Sequence, residues 1–343
     1  MNNADPLENI LVNPGPGSYR YSRNEWDPLK KVIVGVADHA TIPPVDISLR
    51  CVNYAGTREQ DMPLSGPYPQ QVIEEANQDL DKLATMLENN GVKVLRPRRE
   101  STGYYNYCPR DVIFAHDKQA IATPMALRSR ADNWVSFTDA FSPGELKIID
   151  PQASADLYDT NAIGNPDVLG LTEAYPAFDA ANMLKANDDI LYLVSNSANR
   201  LGAQAVQKLY PDCKVHVLEG VYSYMHIDST IAFLREGLLM VNPSRITDHA
   251  TQLPAPFNTW DCIYAPEPTD IGHFPGYCNS SPWINLNLLS FDTQNVILEE
   301  NQRATRDALK RYGINSTMVP MRHSRTLGGS IHCVTLDLER DHG

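Results

Sequence analysis

The stretch INLNLLSFDTQNVILEE (284–300) decides how this chain is read. Two apolar runs flank the polar turn Asp292–Asn295, which predicts a β-hairpin. A helix over 301–312 and a strand near 316–320 follow. Working upstream, similar parts return. HIDSTIAFLREGLLMVN (226–242) is a hairpin turning near Glu236-Gly237, ILYLVS (190–195) a strand, Leu201 to Tyr210 a helix and KVHVLEG (214–220) a strand. DVIFAHDKQAIATP (111–124) turns at Asp117-Lys118, and KKVIVGVA (30–37) reads as a buried strand. Val72, Ala76, Leu80, Leu83 and Leu87 keep helical spacing up to Asn90-Gly91, after which VKVL (92–95) is a strand. A final strand covers 331–338. Hairpin, helix and strand recur in order, so the class is α/β and the repetition suggests modules set around an axis. A doubly wound sheet also explains the alternation but accounts poorly for so many hairpins.

No linker divides the middle, so a single domain over 24–343 is expected after a mobile leader, 1–23, rich in Asn, Pro and Gly. The irregular segment 140–175 reads as a loop insertion. A net charge of -13 over 343 residues argues against nucleic acid or an anionic membrane as partner. No apolar run approaches the ~20 residues of a membrane span, and the N-terminal segment has no basic-then-apolar signal, which points to the cytoplasm. The cysteines at 51, 108, 213, 262, 278 and 333 form no CxxC pair and are expected as free thiols. There is no P-loop, no GxGxxG fingerprint and no HExxH. His332, Cys333 and His226 lack a second close pair of ligands, so neither a metal nor another cofactor is expected.

Four segments place reactive side chains at structured or permissive positions. YCPRDVI (107–113) has Asp111 opening a strand, and PAFDAANML (176–184) offers Asp179. YMHIDST (224–230) sets His226 and Asp228 two apart at a strand start, facing one side. HSRTLGGSIHCVTLD (323–337) puts Gly328-Gly329 before Cys333. Each also has a structural reading: a capping aspartate, a satisfied core histidine, a small buried cysteine. Spacing alone does not join them into one site.

These motifs resemble those of the amidinotransferase family of guanidino-group-modifying enzymes, from about Asn24 to about Arg340. NEWDPLKKVIVG, SGPYP, YCPRD, PMALRSR, FDAAN, NPSR and HSRTLGG are similar to its inosamine-phosphate members. PRD, FDAA, MHID, SSxW and LGGxxHC are shared with its glycine members. The resemblance implies a five-module α/β propeller with pseudo-fivefold symmetry. It also implies transfer of an amidino group from L-arginine to a small amine acceptor, with L-ornithine released and a homodimer left open. Cys333 would be the nucleophile, His226 the acid/base and Asp179 its orienting partner. Asp111 and Asp228 would hold the guanidinium, and Arg245 and Ser281 the carboxylate end. Met225 would narrow the acceptor side. Arg128 and Arg130 would bind substrate or act as structural clamps. Ser330, in place of a third glycine, would shift the loop before Cys333, while YYNYC (104–108) and 140–175 would line the entrance. The alternative is an arginine deiminase-like hydrolase giving citrulline and ammonia.

The chemistry suits these residue types. A guanidinium is planar and a poor electrophile, so two carboxylates are suited to fix its plane before a thiolate. The sulfur must lose its proton, and the departing ornithine nitrogen must gain one.

Overall fold

A computed structural model describes residue 7 and residues 20–97, 105–151 and 154–342. Most of the expected leader, together with Tyr104, lies outside the described residues. Five three-stranded sheets among the described residues share one pattern: an antiparallel pair, then a parallel third strand. In the first, β1 (Leu29–Val34) lies between β4 (Lys93–Leu95) and β17 (Thr335–Arg340). A two-strand ribbon, β2 (Thr41–Ile42) and β3 (Gly66–Pro67), stands apart from them. The other sheets follow chain order. They are β5 (Ile113–His116), β6 (Gln119–Ala122) and β7 (Leu146–Ile148); then β8 (Met183–Ala186), β9 (Asp189–Leu193) and β10 (Lys214–Leu218). Next come β11 (Ile231–Arg235), β12 (Leu238–Val241) and β13 (Asp261–Tyr264), and finally β14 (Leu289–Ser290), β15 (Asn295–Glu299) and β16 (Asn315–Val319).

Local chemistry explains the elements. The helix Gln70–Asn89 buries Val72, Ala76, Leu80, Leu83 and Leu87 along one stripe and ends where Gly91 takes a φ of +81°. That stripe packs into the core that also contains Val32, Val34, Tyr107, Cys108 and Cys333, so the helix supports the chain around the nucleophile candidate. The helix Arg200–Leu209 starts on Asn199, whose side chain accepts from the Gly202 amide at 2.9 Å.

Several expectations are corrected. ILYLVS is a strand as expected, but it is the second of a hairpin whose first strand, Met183–Ala186, was not expected. Segment 140–175 is not wholly a loop, since β7 joins β6 in parallel. Asp111 does not open a strand; it ends the 3-10 turn Pro109–Asp111 ahead of β5. His226 and Asp228 are not in a strand either, for His226 caps the 3-10 turn Ile227–Ser229 ahead of β11.

A buried charge network joins the sheets. Asp337 of β17 accepts from Arg110 at 2.7 Å, Arg340 at 2.8 Å and Lys185 of β8 at 3.1 Å. Burial pushes this carboxyl up, but Lys185, Arg340 and Arg110 outweigh it and hold it well below the usual range. Removing one partner from such a cluster leaves a buried charge uncompensated, so the arrangement fixes how β8, β17 and the turn before β5 meet.

Candidate active site

The turns that precede the antiparallel edge strands of the sheets carry the reactive groups. Asp111 lies before β5, and Asp179 caps the turn Ala180–Asn182 before β8. His226 and Asp228 lie before β11, and Cys333 is two residues ahead of β17. A tight turn frees side chains from the strand's alternation and lets them converge. Asp111, His226, Asp228 and Cys333 line one cavity.

His226 is held between acids. Its Nε2 lies 2.9 Å from Asp179 Oδ2, and its Nδ1 lies 3.6 Å from Asp111 Oδ1. Burial disfavours the imidazolium, but Asp111 and Asp179, with Asp228 behind them, outweigh burial and raise His226 to about 9. Burial raises the Asp179 carboxyl, with His226 pulling in the other direction. Asp228 Oδ2 accepts from His332 Nδ1 at 3.0 Å and from the Cys333 thiol at 3.0 Å. Burial raises Asp228, yet His332, His226 and the thiol bring it down to about 2. Asp228 is therefore an anion at any working pH.

Cys333 is 3 % exposed, and its Sγ faces the cavity beside Asp228. A hydrogen bond with Cys108, burial and the charge of Asp228 hold its thiol well above the usual value. The resting sulfur is thus a neutral thiol that donates a hydrogen bond to Asp228. Gly329 is required against it: a Cβ there would lie 2.4 Å from Cys333 Cβ and 2.8 Å from Sγ. Ser330 also lines the cavity, and its amide donates to Asn287 Oδ1 at 3.0 Å.

Arg130 and Arg128 separate in role. Arg130 Nη1 pairs with Asp111 Oδ2 at 2.7 Å, and its guanidinium lies 4.9 Å from the Tyr105 ring centre. Arg128 does not line the cavity; it lies over the Tyr158 ring at 5.2 Å and faces Asp46 at 3.9 Å. Ser281 and Met225 are cavity residues, whereas Arg245 stands behind the wall. It lies 3.4 Å from the Tyr222 ring centre and donates to Ser281 Oγ at 3.0 Å. Cys108, Asp111 and Cys333 have ligand atoms within 4.8 Å of one another. With Asp111 already paired to Arg130, this trio falls short of a closed four-ligand zinc site.

Sequence reasoning missed Asn287, whose Nδ2 donates to Cys333 Sγ at 3.0 Å. Its signal was available: INLNLL aligns by position with PRDVI, DAANML and HIDSTI, each a polar residue just before a hairpin's first strand.

No family model matches the chain. Inosamine-phosphate amidinotransferase 1 of Streptomyces griseus is 39% identical over 337 residues, covering 92% of this chain and 96% of that protein. The chain belongs to the amidinotransferase family. L-arginine:L-lysine amidinotransferase of Pseudomonas savastanoi pv. phaseolicola is 33% identical to this amidinotransferase, covering 93% of the chain and 94% of the relative. Among solved structures, SxtG, an amidinotransferase from Microseira wollei in the saxitoxin biosynthetic pathway, matches with a TM-score of 0.83 and 31% identity. That match covers 94% of this amidinotransferase and 98% of the other chain. This amidinotransferase is thus a transferase, and no helix among its described residues is long and apolar enough to cross a membrane.

Proposed function

We propose that the enzyme takes the amidino group of L-arginine onto Cys333 and passes it to a primary amine in the biosynthesis of a guanidine-containing natural product. The observation that carries this reading is the meeting of the Cys333 sulfur, the raised imidazole of His226 and the two carboxylates of Asp111 and Asp228 on one cavity. A guanidinium bridging those carboxylates replaces the thiol as the partner of Asp228 and adds a positive charge beside the sulfur. Both changes favour the thiolate, and the thiol proton leaves to solvent as the substrate cation takes its place. Sulfur then attacks the central carbon, and His226 gives its proton to the departing nitrogen as the C–N bond breaks and ornithine leaves. In the second half an amine loses a proton to His226, forms a new C–N bond, and the C–S bond breaks. One C–N bond replaces another, so no nucleotide is consumed.

Asp179 orients and charges the imidazole, as the 2.9 Å contact supports. Ser281, held from behind by Arg245, receives the arginine carboxylate, and Met225 borders the acceptor. We further infer that residues 24–343 act as one catalytic domain in the cytoplasm, and that the five sheets stand around a pseudo-fivefold axis. The shared pattern of the sheets supports that arrangement.

The test is incubation with L-arginine alone, followed by an acid quench and peptide mass mapping. An amidino group on Cys333 with one ornithine per site, and turnover only when an amine is added, is the expected result. Citrulline and ammonia as products would overturn transfer in favour of hydrolysis.

A further inference from the structure

The sheets edged by β5, β8, β11 and β17 each send a reactive side chain from the turn ahead of that antiparallel strand. The remaining sheet begins with β14, and the turn ahead of it ends at Asn287, whose amide donates to Ile284 O at 3.1 Å. Asn287 is 5 % exposed and lines the cavity.

Its side-chain orientation is forced. Oδ1 accepts from the Ser330 amide at 3.0 Å and from the Cys333 amide at 3.1 Å. Only the carbonyl end of an asparagine amide can accept two N–H groups, so the NH₂ end must face the sulfur. There Nδ2 lies 3.0 Å from Cys333 Sγ. The Asn287 main-chain oxygen also accepts from the His332 amide at 3.3 Å. Three successive parts of the nucleophile loop, at 330, 332 and 333, are thereby fastened to one residue.

The sulfur's other neighbours work against its anion. Cys108 shares a hydrogen bond with the thiol, Asp228 accepts one from it, and burial and the charge of Asp111 add to both. Among the hydrogen bonds of the described residues, Asn287 alone offers Sγ an N–H. An N–H donor aimed at a sulfur in a closed site is worth more than one in water and needs no reorganisation when charge develops.

We propose that Asn287 is a catalytic residue, the N–H donor that stabilises and aims the Cys333 thiolate. This rests on Cys333 being the nucleophile. When the substrate cation draws Asp228 away, Asn287 stays as the fixed partner of the sulfur. The same bond serves again when the C–S bond breaks and the thiolate is restored.

The experiment follows the pH dependence of Cys333 alkylation by iodoacetamide, located by peptide mapping, in the full-length wild type, Asn287→Asp and Asn287→Ala. Asn287→Asp keeps an oxygen for the two amides but removes the donor, and Asn287→Ala removes the donor without adding charge. Both variants are expected to shift the alkylation midpoint upward by about one pH unit or more, and the ornithine burst should slow ~100- to 1,000-fold. Melting temperatures report separately on the loop's structural role. A wild-type alkylation profile in either folded variant would overturn the proposal, leaving Asn287 a scaffold residue. Failure of arginine to leave an adduct on wild-type Cys333 would instead defeat the transfer reading, and the alkylation profile, which needs no arginine, would still decide the role of Asn287.

Discussion

His226 Nε2 lies 2.9 Å from Asp179 Oδ2, and Asp179 is completely buried. This acid therefore acts on the reaction through the imidazole it holds. Asp179→Asn removes the charge while keeping the shape. Turnover should fall about 100- to 10,000-fold. The limb of the second half-reaction that rises toward about pH 9 should move to lower pH, because His226 keeps Asp111 but loses Asp179, one of the partners that raise it. Rapid-quench measurement of amine addition to the amidino-enzyme across pH checks both.

The same raised histidine links stability to pH. The folded value of about 9 lies above the ordinary 6.5, so charged His226 stabilises the fold fully below about 6.5. That contribution is lost as pH rises through about 9, and it is on the order of 3 kcal/mol. Unfolding of the wild type should become easier across this window. His226→Gln should flatten the dependence when the two are compared by denaturant unfolding near both limits.

Asp228 runs the other way. Its folded value of about 2 lies below the ordinary one, so its contribution is present above that ordinary value and lost as pH falls through about 2. Arginine binding should consequently show no acidic limb from Asp228 in the working range. Asp228→Asn should raise KM for arginine ~10- to 150-fold, the worth of a hydrogen bond to a charged group. Initial rates over arginine concentration give the answer.

Arg130→Met leaves Asp111 buried without its 2.7 Å partner. The expected cost is about 3–5 kcal/mol of stability. Adding Asp111→Asn should restore part of it, as a double-variant unfolding cycle would report, whereas activity should not return.

Gly329→Ala puts a methyl group 2.4 Å from Cys333 Cβ. A loss of about 1–3 kcal/mol is expected from the crowding, read as a lower melting temperature. Alkylation of Cys333 should change with it, since the sulfur itself must move.

Much of this was legible from the residues. The apolar stripe Val72–Leu87 and its Asn90-Gly91 stop describe the long helix, and Asp117-Lys118 and Glu236-Gly237 mark real hairpin turns. The strand Met183–Ala186 was hidden because it carries Lys185, a charge buried by partners 70 to 163 residues away. The turns holding Asp111 and Asp228 were read as strand starts because single 3-10 turns have no period, and β-branched residues follow at once. β7 is three residues long, too short to alternate visibly, and it depends on β6 for its pairing. Asn287 escaped notice because INLNLL reads as the first strand of a hairpin, although pairing starts only at Leu289. Nothing local reveals that Arg245 stacks on Tyr222 outside the cavity wall.

Because β17 pairs with β1, the first sheet is completed by residues made after those of the other four sheets. On the ribosome, the early strand β1 must wait with an open edge while more than three hundred residues emerge. Cys333 belongs to the same late segment, so a polypeptide released short of it would carry the acids and the histidine but no sulfur to attack with. Maturation of activity and closure of that sheet are then a single late event in the birth of the molecule.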